Sequence, residues 1–331
     1  MPTFSLIIAC YKQEQFIRET VESALALPYP GKEIIVVDDA SPDRTAEILE
    51  EYGDKIRLIK HEKNLGANVG RNEGAAAAKG KYLVFLDGDD LYLPWALDVY
   101  ARIIELKDPK IILCRLLFFK GPPPKPRCSD FGRSVEIAEY DALIRKDHGY
   151  RGSASAIVVD RDVFLSVGGF TKEIFPSDID DLTIKLGYSG KTVQILSHPT
   201  TAYRIHEHNT VHQIGRFLET MTMVVHKEKN GEYPGGPSRR LERYAYIGGP
   251  VYSWFTRGLR EGLYWRSLKF LAYGWRLMAV AIWSRLILKV KGSHPTEWIE
   301  VDPTWSATGS SKEMDLGTVS APLKRENLSR R

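Results

Sequence analysis

The chain has 331 residues, 43% hydrophobic and 27% charged, an ordinarily globular composition that suits one large domain with an appendage or two modest domains. Its net charge of +4 is mild and gives no reason to expect a nucleic-acid partner, although basic residues crowd into the last third. The three cysteines, Cys10, Cys114 and Cys128, are an odd number without metal-ligand spacing, which argues against a disulfide framework and for packed thiols in a reduced, cytoplasmic compartment.

In chain order, Ser5 to Ala9 is a short apolar run of the buried-strand type. It follows Met1-Pro2-Thr3-Phe4 with no basic or cleavable apolar leader, so no secretory signal is expected. Phe16, Ile17, Thr20, Val21, Ala24 and Leu25 then share one helical face. Ile34 to Val37 is a second strand, ended by Asp38-Asp39. Ser41-Pro42-Asp43 reads as a helix start, with Ser41 as N-cap and Pro42 in the first turn. Ile56 to Ile59 is a third strand, Asn68 to Lys79 an alanine-rich helix, and Tyr82 to Leu86 a fourth strand running into Asp87-Gly88-Asp89-Asp90. Strands alternating with helices predict an α/β fold whose central sheet is mostly parallel and covered on both faces.

Beyond this, Lys120 to Arg127 is a proline-rich loop, Val135 to Arg145 is expected as a helix and Ala156 to Val159 as a strand. Asp181 to Leu186 begins a helix that Gly187 to Gly190 ends. Residues 239–291 form an aromatic, basic helical region, and the polar tail after Pro295 is expected to be disordered. The expected division is therefore 1–235, 236–294 and 295–331. The longest apolar stretch, Leu263 to Val290, carries Arg266, Lys269, Arg276 and Arg285, too many charges for a span of ~20 apolar residues.

In an open parallel sheet, ligands bind beyond the carboxyl ends of the strands. Here those ends carry Cys10-Tyr11, Asp38-Asp39 and Asp87 to Asp90. Gathered carboxylates need a counter-ion, which a divalent metal on a diphosphate supplies. Asp87 and Asp89, two apart in an extended segment, can face one ligand. Oxygen donors suit Mg²⁺ or Mn²⁺, and Gly88 lets the backbone approach. A solvated acidic turn is the competing reading of the motif taken alone.

The motifs, in order, are Ser5-Leu6-Ile7-Ile8-Ala9-Cys10-Tyr11, Ile35-Val36-Val37-Asp38-Asp39-Ala40-Ser41, Asn64-Leu65-Gly66, Gly70-Arg71-Asn72-Glu73-Gly74 and Lys79 to Asp90. In that order and spacing the chain resembles the family 2 glycosyltransferases, with their GT-A fold. The resemblance weakens beyond residue 90. It implies that Tyr11 lies beside the nucleobase with the Ala9 backbone nearby, and that Asp38 and Asp39 accept hydrogen bonds from base and ribose. Arg71 would reach the base or diphosphate, Asp87 would sit near the ribose beside Gly88, and Asp89 would hold the metal. Val167-Gly168-Gly169-Phe170 is similar to the family's acceptor-side segment. Ser177-Asp178-Ile179-Asp180-Asp181-Leu182 is similar to its general-base motif, but aligned on Leu182 the base position falls on Ile179. A one-residue shift gives the role to Asp178, the first choice, or to Asp180. In Tyr203-Arg204-Ile205-His206, His206 would approach the metal or diphosphate.

The implied activity is inverting transfer of a sugar from a nucleotide-sugar donor. UDP is the first choice of nucleotide and thymidine diphosphate the second. The acceptor would be a glycan or glycolipid in surface-polysaccharide assembly. A nucleotidyltransferase would want a glycine-rich basic loop after the first strand, and a dehydrogenase Gly-x-Gly-x-x-Gly; neither is present. A non-catalytic relative that binds nucleotide or a protein partner is the remaining alternative, supported only by the displaced base motif.

Residues 239–291 hold eleven Lys or Arg against two Glu, net +9, with eleven aromatics. That is the composition of helices lying on an anionic membrane surface, here the cytoplasmic face. A helical subdomain packed on the catalytic domain, or a homodimer contact, is the alternative, because Arg285 and Lys289 fall opposite Arg266 and Arg276 on one continuous helix.

Overall fold

The computed structural model describes residues 1–124, 134–150 and 152–301, with side chains at 288–291 left aside. Cys128 and the end of the proline-rich loop lie outside the described residues, as does the tail from residue 302.

Four strands, β1 (Phe4–Cys10), β2 (Lys32–Asp38), β3 (Arg57–Lys60) and β4 (Tyr82–Asp87), pair in parallel in the order β3-β2-β1-β4. All seven residues of β1 are buried, and its alternate side chains enter different cores. Leu6 and Ile8 pack with Ile17, Val21 and Ala24 of α1 (Ile17–Leu25) and with α4 (Ala96–Lys107). Ile7 packs on the other side with Ala75 of α3 (Ala67–Ala77), Phe164 of α5 (Arg161–Ser166) and Phe170. Burial on both faces explains why the first strands are nearly continuous Val, Ile and Leu. The short α2 (Thr45–Glu50) begins later than the sequence suggests. The Asp43 carboxylate accepts from the Thr45 N–H at 3.1 Å, whereas the Ser41 hydroxyl accepts from the Lys12 N–H at 3.0 Å and so ties the loop after β1 instead.

The sheet then reverses. β8 (Ile157–Asp160) runs antiparallel to β4 and to β6 (Ile111–Phe119), and β9 (Thr192–Arg204) returns parallel to β6. A two-residue strand, β5 (Leu91–Tyr92), joins β9 just after the acidic motif. The expected helix over Val135 to Arg145 is instead β7 (Ser134–Tyr140) followed by a single 3-10 turn at Leu143–Arg145. Val135 and Ile137 alternate into the core at strand period, and β9 supplies hydrogen-bond partners that sequence spacing does not show. Pro295 does not open a wholly disordered tail, because Thr296–Glu300 forms β10 against β7. Trp298 is exposed there while Ile299 is buried, the alternation of an edge strand with one covered face.

α6 (Asp178–Lys185) precedes β9, and α7 (Ile214–Lys229), α8 (Arg240–Arg260) and α9 (Tyr264–Lys291) follow it. Ile184 of α6 shares one core with Leu218, Met221 and Val225 of α7, Ile247 and Val251 of α8, and Phe270 and Leu277 of α9. That core runs across residue 235 without a break. α8 and α9 approach closely because Gly248 faces the Leu277 carbonyl and Gly274 faces Val251, with no room for a Cβ at either place. The Glu228 carboxylate and Arg243 guanidinium, both buried, pair at 2.6 Å between α7 and α8.

Cys10 and Cys114 are free and buried, as packing residues should be. Burial, then the charges of Asp38 and its neighbours, pushes the Cys10 thiol well above its ordinary value, and burial takes Cys114 up to about 12.

Candidate active site

The carboxyl ends of β1, β2 and β4 lie side by side, with Cys10 opposite Asp38 and Ala9 opposite Asp87. The Gly88 N–H donates to the Ala9 carbonyl at 3.1 Å, and a Cβ at Gly88 would lie 2.7 Å from Cys10 Cβ. Glycine is therefore required for the two strand ends to meet. A cleft of about 2500 Å³ opens above them and extends to α8 and α9. Ala9, Tyr11, Asp39, Arg71, Asp87, Gly88, Asp89, Asp178, Asp180 and His206 all line it. Asp38 does not. It is buried below the cleft and its carboxylate accepts the Ser41 N–H at 3.3 Å, so it braces the turn after β2.

Asp39 holds the next motif in place. Its two oxygens accept from the Leu65 N–H at 2.7 Å and the Gly66 N–H at 2.8 Å, drawing Asn64-Leu65-Gly66 onto β2. His61 lies between Asp39 and Glu73, at 2.7 and 2.9 Å. Partial burial disfavours the imidazolium, but its hydrogen bonds to both carboxylates outweigh that and the ring stays above its ordinary value. No local pattern marks His61, since its partners come from β2 and α3. Gly66 has φ +95°, which suits glycine, and α3 starts directly after it. A Cβ on Gly74 would stand 2.5 Å from Ile7 Cγ2, so α3 lies tight on β1 and directs Arg71 inward.

Arg71 is buried and bridges two distant carboxylates, Nη2 to Asp87 Oδ1 at 2.5 Å and Nη1 to Asp178 Oδ2 at 2.7 Å. Nη1 also donates to Asn68 Oδ1 at 3.0 Å, and the guanidinium lies 5.3 Å from the Phe170 ring centroid. Burial disfavours its charge, yet the two carboxylates raise its affinity for the proton above the ordinary value. Asp178 is the first residue of α6. Burial raises its carboxyl and the Arg71 charge pulls it back, leaving a net upward shift.

Asp180 is different. It is half-buried and lines the cleft, and among the described residues its side chain has no hydrogen-bond or ion-pair partner. Burial first, then the Asp178 charge, push it up to about 7, with Lys146 pulling the other way. Lys146 is itself lowered to about 8, chiefly by burial, and its ammonium lies 5.1 Å from the Tyr246 ring centroid. Asp181 turns inward to Lys227 at 2.6 Å and Tyr233 at 2.7 Å, tying α6 to α7. Ile179 sits against Gly152, where a Cβ would approach it to 2.7 Å.

On the opposite wall, Asp89 Oδ2 meets His206 Nε2 at 2.8 Å. Arg204 positions this pair. Its Nε donates to the Asp89 carbonyl at 2.9 Å, its Nη2 pairs with Glu19 at 2.5 Å, and its plane lies 4.7 Å from both the Phe16 and Phe119 rings. Asp90, fully buried, accepts the Arg204 N–H at 3.0 Å and so locks the end of β4 to the end of β9. Burial, reinforced by the Asp89 and Asp87 charges, raises its carboxyl well above the usual range. Among the described residues no group of three or more His, Cys, Asp or Glu forms a complete metal cage. One carboxylate and one imidazole facing each other in an open cleft fit Mg²⁺ or Mn²⁺ of the kind that takes its remaining ligands from phosphates and water.

Residues 5–164, just under half of the chain, match the family model described as glycosyl transferase family 2. A Bacillus subtilis glycosyltransferase named for teichuronic acid biosynthesis is 37% identical over 107 residues, covering 31% of this chain and 41% of its own. The chain spans only about a third of the length of the curated relatives it matches. Among solved structures, residues 1–349 of TarS from S. aureus in complex with UDP superpose with a TM-score of 0.57 at 18% identity, over 77% of this chain and 72% of that one. A Pyrobaculum calidifontis mannosyltransferase in complex with GDP-Man and Mn²⁺ gives 0.50 at 16% identity, over 86% and 87%. These likenesses establish the GT-A type fold: parallel around the strand ends, mixed beyond β4.

Removing Arg71 would leave Asp87 and Asp178 uncompensated. Breaking a buried ion pair from one side typically costs about 3–5 kcal/mol. Arg71→Gln should lower the urea midpoint accordingly, with part of the loss recovered in the double variant Arg71→Gln/Asp178→Asn. A wild-type midpoint in Arg71→Gln would show that the bridge does not support the site.

Proposed function

We propose that the protein is an inverting glycosyltransferase that moves a sugar from a UDP-sugar to an acceptor hydroxyl, with Asp180 as general base. The observation that carries this reading is the contrast between two carboxylates on one helix. Asp178 is bound to Arg71, whereas Asp180 lies free in the cleft at about 7. A base works best when its proton affinity is near the working pH. The sequence preference for Asp178 is therefore replaced by Asp180, and Asp178 becomes the group that holds Arg71 beside Asp87.

In this reading Tyr11 and the Ala9 backbone border the nucleobase, Asp39 and Asp87 face the ribose, and Asp38 is left out of the donor site because it lies below the cleft. Asp89 and His206 would hold Mg²⁺ or Mn²⁺. When bound, that ion neutralises charge on the diphosphate. Asp180 takes the acceptor hydroxyl proton as the oxygen forms its bond to the anomeric carbon. The bond from that carbon to the diphosphate oxygen breaks on the far side, the electron pair leaves with the diphosphate, and the configuration inverts. UDP is favoured because TarS, of the same fold, is a UDP complex. An acceptor in surface-polysaccharide assembly is favoured by the relative named for teichuronic acid biosynthesis.

The outward face of α9 supports a place on the cytoplasmic face of a membrane. Trp265, Leu268, Trp275, Ile282 and Trp283 are all exposed, at helical spacings that put them on one side, with Arg266, Lys269 and Arg276 flanking. Arg285, which makes the pattern irregular in the sequence, turns to the cleft instead. Among the described residues no helix is long and apolar enough to cross a membrane.

Asp89→Ala should abolish the gain in UDP affinity produced by Mn²⁺ and leave the urea midpoint unchanged. The same Mn²⁺ enhancement in the variant would remove Asp89 from the metal site. Asp180→Asn should keep UDP binding and lower transfer by at least ~10²-fold. The base must be ionised to accept a proton, so the wild-type rate should rise with pH through about 7 and level off above it. If Asp178→Asn stops turnover and Asp180→Asn does not, the assignment is reversed; UDP binding with no donor turnover in the wild type would favour the non-catalytic alternative. Co-sedimentation with phosphatidylcholine vesicles should increase when phosphatidylglycerol is added and fall in Trp265→Ser/Trp283→Ser. Equal sedimentation of variant and wild type would refute the membrane face.

A further inference from the structure

The cleft does not end at the strand tips. Its far end is walled by helices and carries a run of cations, with the acidic Asp147, Glu207 and Glu242 among them. Lys146 comes from the segment after β7, Arg216 from α7, Arg257 and Arg260 from α8, and Arg285 from α9, and all five line the cleft. Among the described residues, none of the five has a carboxylate within salt-bridge distance. Several neighbouring arginines are paired: Arg145, which also lines the cleft, and Arg239 with Glu242 at 3.6 and 2.8 Å, Arg243 with Glu228 at 2.6 Å, and Arg266 with Glu219 at 3.6 Å.

Two of these cations stand on aromatic platforms. The Arg257 guanidinium lies 4.7 Å from the Trp254 ring centroid, and Trp254 is stacked on Phe217 with 3.7 Å between centroids. Arg257 Nη2 donates only to the Val211 carbonyl, at 3.3 Å, and Arg216 lies 5.3 Å from the Phe175 centroid. Stacking fixes a guanidinium plane and leaves edge donors for a second partner. Burial lowers Arg257 below its ordinary value, with Glu261 opposing, which marks a cation held partly out of water without full compensation. Lys146 and Arg285 sit close enough that the Arg285 charge helps depress the lysine. Like charges brought together in a concave wall repel unless an anion joins them. Guanidinium groups suit phosphate because their parallel N–H groups match two of its oxygens.

We infer that this end of the cleft is a phosphate-binding acceptor site, and that the acceptor sugar or polyol carries phosphate groups spaced along Lys146, Arg285, Arg257 and Arg216. The inference rests on the transferase reading for the word acceptor, and it deepens that reading by naming the substrate class. Lys146 is also the cation next to Asp180, so a phosphate held there would bring the adjoining hydroxyl to the base. The phosphate can belong to a soluble polyol-phosphate chain or to the headgroup of a lipid carrier. The wall would read both by the same chemistry.

Calorimetric titration of the full chain separates the cases. The probes are a short glycerol phosphate oligomer, and phosphatidylcholine vesicles with and without a polyprenyl phosphate, each added in the absence of UDP and again with UDP saturating. The wild type should bind at least one phosphate probe under both conditions, more weakly as salt rises. Arg257→Gln/Arg285→Gln should weaken that binding at least about tenfold with UDP affinity unchanged. Arg260→Gln/Arg285→Gln, which alters two exposed side chains, should weaken it in the same direction and guards against a folding defect in the first variant. Loss with the oligomer assigns a polyol-phosphate acceptor, and loss with the vesicles alone assigns a lipid phosphate; either result supports the site. Absence of binding by both probes, or unchanged affinity in both variants, would overturn it. Failure of UDP to bind the wild type would count against the donor site only, since the phosphate arms are read without nucleotide.

Discussion

Carboxylates crowded at one end of a parallel sheet repel one another, and in this protein Arg71 is the buried counter-charge that holds two of them together. The bridge from Asp87 at the end of β4 to Asp178 at the start of α6 joins residues 91 positions apart in the chain, with Arg71 as the common partner. It closes the floor of the cleft, and it depends on α3 lying tight against β1, which Gly70 and Gly74 permit. Around it, the other acidic groups sort by what neutralises them. Asp39 is held by backbone N–H groups and His61, and Asp90 by the Arg204 N–H together with a strong tendency to keep its proton. Asp89 meets only the His206 imidazole across the open cleft.

The same logic separates Asp180 from the other acids of α6. Helix geometry turns Asp178, Asp180 and Asp181 in different directions, so one meets Arg71, one meets Lys227 and Tyr233, and one faces open space. A carboxylate that is partly buried beside another negative charge and without a direct partner rises toward neutral pH. The ion pair thus engages the Asp178 carboxylate, while its charge helps to raise the proton affinity of Asp180.

The helical region is an extension of the same cleft. α8 and α9 share a core with α6 and α7, so the arginines they carry are held in fixed relation to Asp180. One surface of α9 faces inward to the core, one presents tryptophans outward, and Arg285 enters the cleft.

The strand–helix alternation, the position of each acidic strand end and the cysteines as packing residues were legible because they depend on local periodicity and composition. Ser5 to Ala9 and Tyr82 to Leu86 are buried on both faces, and their unbroken apolar runs say so. Val135 to Arg145 reads as a helix in the sequence, since the partners that make it a strand are distant: Ile137 pairs with Ile195 of β9 and Val135 with Ile299 of β10. Likewise the start of the polar tail is a strand only because β7 offers it an edge. The motif alignment leaves Asp178 and Asp180 equivalent, because what distinguishes them is the direction in which Arg71 points. The sequence by itself determined the sheet, the acidic rim and the cationic composition of the last third. Only tertiary structure decided which carboxylates are paired and which arginines are not, because pairing is a property of distances between elements that local sequence does not contain.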